Sequence, residues 1–280
     1  MAALIAAIWF GFAGAATAKP AMWVVRDADS AIYLFGTVHM LRDDADWRTP
    51  LFDAVYDQAQ TVWVETRLDA GQARVLMARY GVDPQRRLSD KLGPGVIQRL
   101  EPLLARRRIP LSSVETLRPW AAAMMLSVQP MRDHGYSLDK GADAVITRAA
   151  DNEAKTVRTF ETLEDQIRGF AELPEEAEVA YLVEVIDDQT RPPARGLGQA
   201  WAEGDLDGLG EEMVEDMRRT NPGLYDMLLR RRNEAWAREL TVEMRGNGVE
   251  LVNVGALHMI GPDGLPALMR ARGYRVERVQ

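Results

Sequence analysis

Ala31-Ile32-Tyr33-Leu34-Phe35-Gly36-Thr37-Val38-His39-Met40 sets the reading of the fold. Ala31 to Phe35 is a short apolar and aromatic run of the kind that fills a buried strand, and Gly36 ends it abruptly in a tight loop. Outward from there, Thr49-Pro50 supplies an N-cap and a proline at the first helical position, which predicts a helix through about Gln60. Thr61-Val62-Trp63-Val64 reads as the next strand, with Glu65 the first charge after it. Strand, helix and strand in that order predict a βαβ unit whose two strands are parallel neighbours.

The C-terminus repeats the pattern. Leu251-Val252-Asn253-Val254 reads as a strand broken by Gly255, and a helix is expected over about 265 to 272 with Gly273 just past its end. Tyr274 to Val279 then alternates like a half-exposed strand. Helices are expected between these units at about 96–107, 119–130, 141–151, 162–172, 175–188, 207–219 and 223–245, interrupted by a strand at Thr156 to Phe160 that runs straight into Glu161. Pro192-Pro193 with Gly196 and Gly198 marks an exposed loop. The fold class read from this is α/β: two related βαβ-containing halves, a mainly helical segment over about 95–245, and strands meeting at a central crevice.

Residues 1 to 18 carry no charged side chain, and Ala16-Thr17-Ala18 has the small-x-small form of a signal-peptidase site, so an export signal cleaved after Ala18 is expected. The run is shorter than the roughly 20 residues of a spanning helix. A single domain over 19–280 in the periplasm or outside the cell is the consequence, touching a membrane only through an uncleaved signal. The 280 residues include no cysteine and three histidines, which excludes disulfides, thiol nucleophiles and thiolate metal sites. A net charge of −8 argues against nucleic-acid binding, which needs a basic surface.

Both end units carry G-x-x-H after a strand, as Gly36-Thr37-Val38-His39 and Gly255-Ala256-Leu257-His258. With 22 glycines in the chain, chance would supply only about 0.24 such motifs. Ligands of open α/β sheets bind outside the carboxyl ends of the strands, so His39, Glu65, Glu161 and His258 are expected to converge on one crevice. Two imidazoles and a carboxylate suit either a metal with open positions for water or a metal-free acid/base pair. His134, in the loop Arg132-Asp133-His134-Gly135, has no such partner and is expected in solvent. Tyr225, Leu228, Arg232, Trp236 and Leu240 fall on one helix face, so Arg232 interrupts an apolar stripe and must either meet an anion or lie on a solvated face. Asp143, at the start of a helix, reads first as a cap and second as a site residue.

These residues carry a resemblance. G-T-V-H near the N-terminus, V-W-V-E after it, Gly141-x-Asp143, the set Phe160, Glu161, Thr162 and Gln166, the set Arg232, Asn233 and Trp236, and the terminal N-V-G-A-L-H-M-I-G-P-D-G-L together resemble the TraB/GumN family over almost the whole chain. That family is similar to the Tiki metalloproteases and more distantly to erythromycin esterases and ChaN-like haem-binding proteins. Phe160 stands where the family commonly has leucine. The resemblance implies paired G-x-x-H loops that face each other and, in the Tiki branch, a hydrolytic site needing manganese or cobalt, with zinc a third candidate. Carried over, the catalytic positions are His39, Glu65, Arg232 and His258, the metal ligands His39, Glu65 and His258, and the supporting residues Gly36, Asp143, Glu161 and Gly255. The expected function is an exported, divalent-metal-dependent peptidase acting on a peptide or small molecule. The alternatives are a metal-independent esterase-like hydrolase, or a non-catalytic periplasmic binding or scaffold protein in envelope or exopolysaccharide assembly.

Overall fold

The computed structural model describes residues 18–189 and 196–280. The expected leader, apart from Ala18, and Pro192-Pro193 lie outside the described residues. Among those described, no helix is long and apolar enough to cross a membrane.

Among the described residues, six strands form one mixed sheet: β1 Met22–Arg26, β2 Ser30–Thr37, β3 Thr61–Val64, β4 Thr156–Thr159, β5 Gly248–Gly255 and β6 Arg275–Arg278, in the order β4-β3-β5-β2-β1-β6. Sequence order alone makes β2 and β3 neighbours, and the structure corrects this. They are parallel, but β5 lies between them, pairing Leu34 with Val252 on one side and Trp63 with Val252 on the other. The reason is burial. β2 and β5 are the two longest strands, their carboxyl halves are almost wholly buried, and side by side they place those apolar halves under helices on both faces. The C-terminal unit is split likewise, since β6 pairs antiparallel with β1, a strand that the sequence pattern does not single out. The two βαβ units thus interleave within one sheet.

This order sets the site. In the parallel registers Thr37 stands opposite Gly255, Val64 opposite Asn253, and Thr159 opposite Val64. The chain after each of β2, β3, β4 and β5 therefore leaves from the same edge. Gly36 does not end the strand as expected, since β2 runs through it to Thr37 with Gly36 paired to Val254; it packs against the loop after β5, where a Cβ added to Gly36 would sit 3.0 Å from Ala256 Cα. Trp201 fixes the Gly36 carbonyl with a 2.6 Å hydrogen bond from Nε1 and joins Phe35, Trp47 and Phe52 in an aromatic cluster beneath the loop.

Most expected helices form, including Pro50–Gln58, whose N-cap Thr49 accepts from the Phe52 amide. Ala70–Tyr80 and Leu197–Glu203 are additional, and Gly196 is the N-cap of the second rather than part of a loop. The long helix expected over 223–245 is divided: Pro222–Tyr225 leads into a π-helical turn at Asp226–Arg230 and then into Arg231–Glu243. A π turn inserts extra chain into a helix and rotates the turns beyond it, and such turns concentrate at functional sites.

Candidate functional site

Glu65 and Glu161 are placed by the sheet. The β3–β4 ladder continues past both strand ends, with the Phe160 amide donating to the Val64 carbonyl and the Glu161 amide to the Glu65 carbonyl at 3.1 Å. Glu65 and Glu161 are thus held side by side. The Glu65 Oε1 accepts the Gly255 amide at 2.6 Å, which ties the end of β3 to the loop after β5.

Two like charges this close need a cation, and Arg232 supplies it. The helix after the π turn turns Arg232 inward, with Tyr225, Leu228, Trp236 and Leu240 buried around it, so the stripe meets an anion and not solvent. Its Nε donates to Glu161 at 2.9 Å, Nη2 to Glu65 and Glu161, and Nη1 to the Leu228 carbonyl at 3.0 Å and to His258 Nε2 at 3.1 Å. A guanidinium has five N–H groups. All five are engaged, so Arg232 holds the cage together and keeps no donor free for a substrate. Gln166 closes the top, donating from Nε2 to Glu161 at 2.7 Å and to Glu65 at 3.2 Å.

The tautomer of His258 is set by its partners. Asn233 donates through Nδ2 to the Asp263 carbonyl at 2.7 Å, which leaves its Oδ1 as an acceptor 2.6 Å from His258 Nδ1. Nδ1 therefore carries the proton and Nε2 presents a lone pair to Arg232. Burial, reinforced by the Arg232 charge, pulls His258 down to about 3, so this imidazole stays neutral. Its ring packs 4.5 Å from Trp236, which continues a stack through Phe160 to Trp63.

His39 is held differently. Its Nδ1 lies 3.2 Å from Asp143 Oδ2. The sequence favoured a capping role for Asp143, but the helix Ala142–Asn152 is capped by Gly141 and Asp143 turns to the histidine. Gly141 has no room for a side chain, since a Cβ there would lie 2.3 Å from the His39 carbonyl oxygen. Burial alone would pull His39 down, but Asp143 and Glu65 outweigh it and raise its pKa above 6.5. The opposite balance holds at Glu65, where burial pushes up and Arg232, His258, His39 and the Gly255 amide together drive the carboxyl far below the usual range. Burial also acts on Glu161 and, with Glu65 nearby, leaves it raised despite Arg232.

The strand-end groups therefore do converge. A Cβ on Gly255 would be 3.2 Å from Glu65 Oε1, 3.5 Å from His258 Cδ2 and 3.5 Å from His39 Nε2. Two atoms each 3.5 Å from one point are no more than about 7 Å apart, so the two histidines share one site. His134 stays outside it, exposed, with Nδ1 2.7 Å from the Pro130 carbonyl. Asn233 and Gln166 are visible in the sequence only through the family pattern. A polar residue beside the anomalous Arg232 on a buried helix is the signal for Asn233, because buried polar groups need partners.

Two imidazoles and a carboxylate have the donor chemistry of a zinc, manganese or cobalt site. As arranged they do not fit a shared ion. Arg232 takes the His258 Nε2 lone pair and the second oxygen of Glu65, and among the described residues no three His, Asp or Glu side chains form a group able to hold a metal. Beside the cage lies a cavity of about 1190 Å³, whose lining includes Thr37, His39, Glu65, Asp143 and Gln166. The site can accept a proton at His39 Nε2, since the other three ring nitrogens of the pair meet Asp143, Arg232 and Asn233 and this one has no hydrogen-bond partner among the described residues.

Comparison with known proteins agrees with the motifs. A protein of Escherichia coli strain K12 recorded as "Uncharacterized protein YbaP" is 25% identical over 270 residues, covering 94% of this chain and 97% of its own. The protein of the same name from Shigella flexneri matches equally, at 25% over the same lengths. No solved structure matches. The model of the TraB/PrgY/gumN family matches residues 21–278, nearly the whole described chain, and this chain belongs to that family.

Proposed function

We propose that this chain is an exported hydrolase in which His39 activates water. The carrying observation is the His39–Asp143 pair, which puts Nδ1 against a carboxylate and leaves Nε2 facing the Gly255 loop at the edge of the cavity. In that geometry Nε2 takes the proton of a water as its oxygen attacks a carbonyl carbon, Asp143 stabilises the imidazolium that forms, and collapse of the tetrahedral adduct breaks the bond to the leaving group, which takes that proton from Nε2. Glu65, Glu161, Arg232 and His258 form the rigid floor that fixes the Gly255 loop opposite His39. Export is supported by the uncharged N-terminal run and the Ala16-Thr17-Ala18 site.

The metal-dependent peptidase expected from the resemblance stays a competing reading, because displacing Arg232 would free His258 Nε2 and Glu65 together. Chelation separates the two. Purified protein is screened on peptide and acyl-ester panels before and after EDTA treatment. Hydrolysis that survives EDTA and falls at least a hundredfold in His39→Ala supports water activation by the dyad. Activity abolished by EDTA and restored by manganese, cobalt or zinc overturns it.

A further inference from the structure

The cavity extends well beyond the histidines, and its outer part is built unlike its floor. The helix Pro119–Asp133 contributes Met124, Met125 and Val128 to its lining, and the helix Ala70–Tyr80 contributes Met77. Three methionines from two helices give a lining that is apolar and conformationally adaptable, suited to a flexible chain more than to a flat rigid ring. Leu68 carries the apolar surface out to the mouth, where it is 44% exposed.

The rim adds charge. Arg74, Arg132 and Arg148 come from three different helices and line the same cavity. Among the described residues Arg74 and Arg132 have no recorded partner, and Arg148 only donates to the Asp139 backbone carbonyl at 3.3 Å. Of the rim acids, Asp151 is held in a two-bond pair by Arg67, while Asp69, which caps the Gln72 amide at 2.6 Å, and Asp139 stand outside ion pairs among the described residues. In a chain with net charge −8, three arginines set against two rim acids outside ion pairs, Asp69 and Asp139, give this mouth a local excess of positive charge.

We infer that this cleft takes a single aliphatic chain bearing an anionic group, with the chain on the methionine wall and the anion at the rim arginines. This rests on the hydrolase reading in one respect: it names the class of substrate or product that the His39 site would meet. Binding itself requires no turnover, so the two ideas fail separately.

The test is isothermal titration calorimetry on the full mature chain with sodium dodecanoate, sodium octanoate and dodecyltrimethylammonium, each below its micelle concentration. Burying a methylene gives about fourfold in affinity, so dodecanoate should bind at least tenfold tighter than octanoate even if only part of the added chain is covered. It should also bind at least tenfold tighter than the cation of equal chain length. Reversing two rim charges in an Arg74→Glu/Arg132→Glu protein, at exposed positions, should erase that preference. Met125→Glu, at a half-buried wall position, should weaken dodecanoate at least tenfold. Equal affinity for the anionic and cationic amphiphiles, no chain-length dependence, or unaltered binding in either variant overturns the inference. If dodecanoate binds as described while the substrate panels show no hydrolysis, the binding inference stands and the hydrolase reading falls.

Discussion

Replacing Arg232 with methionine removes the cation that, among the described residues, bridges Glu65 and Glu161. Glu65 and Glu161 stay side by side because the β3–β4 ladder holds their backbones, and both side chains are less than 15% exposed. Breaking a buried pair by removing one partner costs about 3 to 5 kcal/mol. The protein has an escape, which is to bind a proton on one of the two acids. For a carboxyl with an ordinary pKa near 4.3, protonation at pH 7 costs about 3 to 4 kcal/mol, so the loss should fall within that same range. The dependence on pH has a definite sign. In Arg232→Met the native state holds a proton that the unfolded chain has released, so stability falls as pH rises and returns on acidification, by about 2 kcal/mol between pH 7 and pH 5.5. Arg232 itself is charged throughout this range, so in the parent the pair needs no such proton at Glu65, whose carboxyl lies far below it. Urea unfolding followed by tryptophan fluorescence at the two pH values measures both quantities. A loss under about 1 kcal/mol at pH 7, or a variant whose deficit does not shrink in acid, would refute the view that Arg232 is the counter-charge of this cage. Adding Glu161→Gln should recover part of the loss, since one carboxylate is then gone.

Two further expectations concern the dyad. Because Asp143 and Glu65 outweigh burial and the Arg232 charge, His39 is raised above 6.5, and a neutral imidazole is needed to accept a proton. kcat/KM should therefore fall as pH drops through a midpoint above 6.5, and Asp143→Asn should move that midpoint lower. A pH-independent rate from 5.5 to 8 would contradict the role given to His39. Gly141→Ala should push the helix bearing Asp143 away from the His39 backbone, destabilising the fold by about 1 to 3 kcal/mol as overpacked sites do and reducing turnover by more than that loss explains. Full activity in that variant would mean the spacing of the dyad is not critical.

The strand ends were the legible part of this chain. Gly36 and Gly255 each follow an apolar run, and one acid comes within two residues of the end of each of β3 and β4, so local sequence was enough to send His39, His258, Glu65 and Glu161 to one edge. The neighbours of each strand were not legible. β5 enters between β2 and β3 through pairings such as Phe35 with Asn253, and no local pattern encodes a partner so distant along the chain. β1 was missed because Met22-Trp23-Val24-Val25 lies directly beside the apolar segment read as a leader. The helix Ala70–Tyr80 was missed for the opposite reason, since Gln72, Arg74, Ala78 and Arg79 are exposed and little apolar periodicity remains. At the site, Arg232 was visible as a charge in an apolar stripe. The full engagement of its five N–H groups was not, because that depends on a π turn and a ladder extension that only tertiary packing sets.

The position of β5 also governs how this protein comes into being. A chain growing from its N-terminus makes β2, β3 and β4 long before Gly248–Gly255 exists. Until then β2 and β3 each present an open edge on the side that β5 will fill, and Glu65 lacks both the Gly255 amide and the full cage. Closure must wait for the final segment, and pairings this distant make folding slow relative to helical bundles of similar stability. Fragments ending before β5 should therefore be inert and prone to associate through those edges, which makes completion of the chain the event that both seals the sheet and assembles the chemistry.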